Sequence, residues 1–252
     1  MLQHYLNSIS MTMRFILEGL LQVCVPTILA LMFIKQRTKK NYLRIIIFSA
    51  IYILYQLILV LPQYGKPFSF IESSWNWDGK IYAIAFGVLC YFVCKKLFIP
   101  NNFITLKQEP KSNKITWLVT LSVIVVMSVI YYFIASSEFD VETLAFQLLM
   151  PALDEEIIFR GIFLGLLLTA LPGRVFLLGN PAVFVTGMLF GLMHALTLSK
   201  DYKIEFETVS FFHTASGGWV FGWLAYKSRS IVKPMISHGG ANFLAALATM
   251  VK

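Results

Sequence analysis

Residues 153–161 read LDEEIIFRG, and they interrupt one of the most apolar stretches of the chain. TLAFQLLMPA (143–152) precedes them and IFLGLLLTAL (162–171) follows. Asp154, Glu155, Glu156 and Arg160 thus stand where a lipid-facing helix carries no ionisable side chain. The whole chain has the same character: of 252 residues, 58% are hydrophobic and 13% charged. Soluble domains carry roughly a quarter charged residues, so the solvent implied for most of this surface is a bilayer. Charges placed at membrane depth are costly and are functional by default.

Eight apolar segments approach the ~20 residues needed to cross a bilayer as a helix. They run roughly over 13–34, 43–62, 80–98, 115–135, 143–171, 175–198, 208–226 and 231–251. The expected fold is an all-α, polytopic membrane helix bundle of about eight transmembrane helices, forming a single membrane domain over 1–252. The net charge of +8 is segregated by loop, which speaks against nucleic acid as the partner. KQRTKKNYLR after the first span, Lys95 to Lys114 after the third, Arg174 after the fifth, and Lys227, Arg229 and Lys233 after the seventh hold fourteen of the 21 Lys and Arg. The other loops and tails hold six, Lys80 among them. This positive-inside bias predicts a multi-pass protein of the cell membrane with both termini non-cytoplasmic. Trp75 and Trp77 read as interfacial anchors. Gly161/Gly165, Gly187/Gly191 and Gly218/Gly222 predict close packing of spans five, six and seven. The three cysteines, Cys24, Cys90 and Cys94, lie in apolar segments and imply no disulfide framework.

In the fifth span, Glu156 and Arg160 are spaced i, i+4 in the favourable order for an ion pair, while Glu155 lies about 100° round the helix. One carboxylate is neutralised and the other is left over. A packing pair needs only one glutamate, so the second points to chemistry. The remaining polar groups at membrane depth are His194 in FGLMH, His213, and His238 in HGGAN, with Asn242 one turn on. His213 has no polar companion and reads as a packing residue. A carboxylate and an imidazole can hold and deprotonate a water, and a second imidazole and an amide can hydrogen-bond an oxyanion. Carboxylates and imidazoles also suit zinc, although HExxH and GxSxG are absent.

EExxxR, as EEIIFR, then FxxxH, as FGLMH, then HxxxN, as HGGAN, follow in order on three late apolar segments. Over roughly 115–251 this resembles the CPBP family, the CAAX protease and bacteriocin-processing (Abi) intramembrane peptidases, which include the type II CAAX prenyl endopeptidases. The resemblance implies an intramembrane endopeptidase. Glu155 resembles the catalytic glutamate and His194 its water-holding partner. His238 and Asn242 resemble the oxyanion-stabilising pair, and Glu156 with Arg160 the supporting salt bridge. The family has also been called a metalloprotease. No cofactor is favoured here, since one carboxylate is committed to Arg160 and Asn242 is a poor zinc ligand; a zinc-dependent version would use Glu155, His194 and His238. The implied partners are the lipid bilayer and a peptide or protein substrate: a prenylated tail, a bacteriocin or signalling-peptide precursor, or a membrane-protein segment. A non-enzymatic scaffold or bacteriocin-immunity factor is the alternative. A transporter reading is weakened because every intramembrane acid except Glu18 lies in the fifth span.

Depth sets one further expectation. At ~1.5 Å per residue, Glu155 and His238 lie roughly 18 and 20 Å from the outer ends of their spans, and His194 only about 6 Å. Upright helices cannot bring the three together. Span six must run past Leu198, tilt strongly, or break near His194.

Overall fold

The structure, a computed structural model, describes residues 2–174 and 179–251. Nine α-helices come in order among them: α1 (Leu2–Phe33), α2 (Lys39–Leu59), α3 (Trp77–Cys94), α4 (Asn113–Ile134), α5 (Val141–Glu155), α6 (Leu164–Ala170), α7 (Pro181–Ala195), α8 (Thr208–Ser228) and α9 (Val232–Met250). Side-chain caps start several of them by satisfying first-turn amides. Asn76 accepts from the Gly79 amide ahead of α3, and Asn180 accepts from Ala182 ahead of α7, where Pro181 takes the first helical position. Asp140 caps α5 through the Glu142 and Thr143 amides; the Thr143 hydroxyl and those amides hold its carboxyl below the ordinary range.

The protein is a helical membrane protein, with one short hairpin among the described residues. By length and composition, Ser10–Phe33, Lys39–Leu59 and Pro110–Ile134 qualify as membrane-crossing helices. The apolar helix α7 is shorter, with 15 residues, or ~22 Å against a hydrocarbon core of ~30 Å.

Two expected spans depart from simple helices. The fifth is α5 and α6 joined by a π-helical stretch, Glu156–Phe163, in which the Leu164 amide bonds back to the Phe159 carbonyl, five residues away. A π turn inserts an extra residue and re-aims the side chains beyond it; here it begins at Glu156. The sixth was expected to run over 175–198. Residues 175–178 lie outside the described residues, the helix stops at Ala195, and Leu196–Leu198 form strand β1, paired antiparallel with β2 (Ile204–Phe206). The chain thus breaks directly after His194. Side chains of α1 hold that break: Glu18 accepts from the Leu198 amide and Gln22 donates to the Leu196 carbonyl.

The core lies around the π stretch. Ile158, Phe159, Ile162 and Phe163 are fully buried. Their rings meet α2 and α7 edge-on, with Phe163 against Phe48 at 4.9 Å and Phe159 against Phe190 at 5.1 Å. Among the glycine pairs, Gly187 and Gly218 bring α7 and α8 into backbone contact, since a Cβ on Gly218 would lie 3.0 Å from the Gly187 Cα. Gly161 and Gly165 do not pack on spans six or seven as expected. They receive the segment after α3, with Ile104 over Gly161 and Phe98 and the Asn101 carbonyl over Gly165. Trp75 and Trp77, read as interfacial anchors, also make defined contacts. They dock on the start of α5, donating to Thr143 Oγ1 at 2.9 Å and Glu142 Oε1 at 3.0 Å, and both rings pack on Phe146.

Candidate active site

The three carboxylates at the end of α5 are all buried, with Asp154 and Glu156 at 0% and Glu155 at 4% exposure. A buried carboxylate needs a partner, and each finds one on a different helix. Asp154 accepts from the Tyr55 hydroxyl of α2 at 2.7 Å and from Lys80 Nζ of α3 at 3.1 and 3.2 Å. Glu155 Oε1 accepts from the same Lys80 Nζ at 2.7 Å. Among the described residues, Glu155 Oε2 is buried with no hydrogen-bond partner, and it lies 3.9 Å from His238 Nε2.

Glu156 is held as its spacing predicts. Its Oε1 accepts from Arg160 Nη1 at 3.0 Å across the widened π turn. The same oxygen accepts from His238 Nδ1 at 2.8 Å. Arg160 also donates to the Gly218 carbonyl at 3.2 Å. Its guanidinium lies 4.6 Å from the Phe190 ring centroid, 5.4 Å from Phe221 and 5.6 Å from Phe159. Those aromatic faces replace part of the lost hydration.

The two imidazoles have assignable tautomers. A backbone carbonyl only accepts, so His194 Nδ1–H donates to the Phe190 carbonyl at 2.8 Å, and its Nε2 carries the lone pair. His238 Nδ1–H is likewise committed to Glu156, and its ring is stacked on Phe221 at 5.0 Å. His194, His238 and Asn242 line one cavity of about 720 Å³ between α4, α7, α8 and α9. Its walls are mainly apolar, with Val123, Val126, Met127 and Val220, and hydroxyls from Ser122, Ser210 and Thr214. His213, read from sequence as a packing residue, lines this cavity too, with its ring 6.4 Å from Tyr131. Glu155 lies behind the wall, next to His238, rather than on it.

The structure therefore brings together the six residues singled out by sequence, Glu155, Glu156, Arg160, His194, His238 and Asn242. The depth mismatch is resolved by the break after α7. Two participants were missed. Lys80 was counted as a loop charge, yet it lies within α3 with its side chain 13% exposed. Tyr55 was one aromatic among many in α2. No local spacing signals either, because their partners are 74 to 99 residues away.

Glu155, His194 and His238 would be the ligands of a zinc ion. Among the described residues no three His, Cys, Asp or Glu converge as a metal-holding group. An ion ~2.1 Å from both Glu155 Oε2 and His238 Nε2, 3.9 Å apart, would need an angle of ~136°, far from the tetrahedral ~109°. As placed, this pair of donors is spread wider than a tetrahedral zinc site holds it.

Residues 136–244 match the family model described as Rce1-like: Type II CAAX prenyl endopeptidase Rce1-like. No curated protein and no solved structure matches the chain.

Proposed function

From the match of residues 136–244 to the Rce1-like, type II CAAX prenyl endopeptidase family model we propose that the protein hydrolyses a peptide bond of a membrane-associated peptide with a glutamate-activated water and no metal. The observation that carries this reading is the buried, unpartnered Oε2 of Glu155 beside His238. A buried carboxylate oxygen without a donor costs free energy and calls for an explanation. A water held there supplies one.

In this reading Glu155 Oε2 takes a proton from the water, whose second hydrogen is accepted by His194 Nε2. The nascent hydroxide adds to the scissile carbonyl carbon. The Asn242 amide donates to the resulting oxyanion, a group that exists only near the transition state. His238 can join it as a donor only as the imidazolium, because its Nδ1–H is committed to Glu156. Collapse breaks the C–N bond, and the proton on Glu155 passes to the leaving amine. Arg160 and Glu156 hold His238 in place. The apolar cavity walls suit a substrate that carries a lipid or large apolar side chains, and a prenylated C-terminal tail is the substrate class proposed. The chain is proposed to cross the membrane several times, with both termini outside the cytoplasm.

The test is Glu155→Gln, which keeps the shape and removes the base. Cleavage of a farnesylated, internally quenched CAAX peptide by purified protein should fall at least ~100-fold, while the variant accumulates and stays monodisperse. Turnover near the wild-type rate would remove Glu155 as the base. A scaffold function would instead be unaffected by this substitution.

A further inference from the structure

Lys80 lies outside residues 136–244, yet it touches the carboxylate to which the proposed mechanism assigns the first proton transfer. We propose that Lys80 is a positioning residue: with Asp154 and Tyr55 it clamps Glu155 by Oε1, so that Oε2 alone is presented to the water and the substrate. The proposal rests on the peptidase reading of the site and gives the N-terminal helices a part in it.

The geometry of the ammonium carries the argument. A lysine has three N–H donors. Here they face Asp154 Oδ1 at 3.2 Å, Asp154 Oδ2 at 3.1 Å and Glu155 Oε1 at 2.7 Å. Asp154 is itself fixed by the Tyr55 hydroxyl at 2.7 Å. It therefore anchors the ammonium to one side, and only Oε1 of Glu155 is in reach. Were Asp154 neutral, the freed donors could swing over both oxygens of Glu155 and occupy the one that takes the proton. The clamp thus fixes the carboxylate and also spares its second oxygen, which is the oxygen found without a donor.

The backbone of α3 is placed to deliver this contact. Asn76, its N-cap, donates to the Leu59 carbonyl at the end of α2 at 2.8 Å. Gly79 lets the helix approach that carbonyl so closely that a Cβ would be 2.3 Å from it. Further along, a Cβ on Gly87 would be 2.8 Å from Ile157 Cγ2 in the π stretch. Glycine on either side of Lys80 in sequence thus seats α3 against both α2 and the carboxylate-bearing segment.

The test compares wild type, Lys80→Met, Lys80→Arg and Asp154→Asn on the farnesylated quenched peptide, with rates expressed per folded, monodisperse molecule. Misplacing a reacting group by about 1 Å costs roughly 100-fold. Lys80→Met and Asp154→Asn should therefore lower kcat by about 10- to 100-fold with KM nearly unchanged, and Lys80→Arg should recover part of the loss. A purely structural lysine would lower the folded yield and leave kcat per folded molecule intact; that result overturns the proposal. So does a rise in kcat, which would mean that Lys80 restrains the enzyme. If Lys80→Met does not fold, Asp154→Asn, an isosteric change, decides by the same criterion. If wild-type protein cleaves no peptide, the peptidase reading fails and takes this proposal with it; active wild type with unaltered variants removes the clamp alone.

Discussion

Arg160→Ala is the substitution whose cost the structure allows to be worked out. The guanidinium is 1% exposed, gives Glu156 its counter-charge at 3.0 Å, and is enclosed by the rings of Phe159, Phe190 and Phe221. Truncation leaves Glu156 buried with one neutral donor, His238. Stranding one partner of a buried pair costs ~3–5 kcal/mol. The contact is a single hydrogen bond, since among the described residues Arg160 Nε and Glu156 Oε2 have no partner, so the lower half of that range is expected. Proteins are stable by only ~5–15 kcal/mol, and for a chain of this size 1 kcal/mol moves Tm by ~2–4 °C. Arg160→Ala should therefore melt ~6–15 °C below wild type in detergent, followed by intrinsic fluorescence, with a reduced folded yield. The double variant Arg160→Met with Glu156→Gln removes both charges and should recover most of that loss, because a buried pair is often replaceable by neutral groups. A single variant melting within ~2 °C of wild type, or a double variant no more stable than the single, would refute the ion pair as the element that holds this segment.

Asn242→Ala should lower kcat by roughly 100- to 1000-fold with little change in KM, as steady-state kinetics on the farnesylated peptide would measure. A raised KM with kcat intact would make Asn242 a substrate contact. Purified protein should hold less than one equivalent of zinc by elemental analysis, and a chelator should not inhibit it. Stoichiometric zinc whose removal and return switches activity off and on would reverse the metal-free proposal.

The pairing of Glu156 with Arg160 was legible because it is local: four residues of one helix place two side chains on one face whatever the rest of the chain does. Apolar length and composition likewise identified a helical membrane protein before any packing was known, because a bilayer requires the backbone of a spanning segment to satisfy itself. The three motifs EEIIFR, FGLMH and HGGAN named the residues that meet in the structure, but their spacing could not say how they meet. The break after α7 depends on Glu18 and Gln22 of α1 bonding to β1 from 174 to 180 residues away. The π turn across which Arg160 reaches Glu156 is a backbone adjustment with no composition of its own.

Lys80 marks the boundary between the two kinds of knowledge. In sequence it is one cation near the start of an apolar segment and counts as a loop charge. In the fold, the contacts made by Asn76 and Gly79 press α3 against α2 and carry that cation onto Asp154 and Glu155. Which charges are buried, and against what, is a property of how helices distant in sequence pack. Sequence alone determined that three carboxylates lie in an apolar stretch and must be neutralised; only the tertiary structure decided that two of them share one lysine and the third an arginine and a histidine, because desolvation makes each buried charge depend on whatever partner the packing brings within about 3 Å.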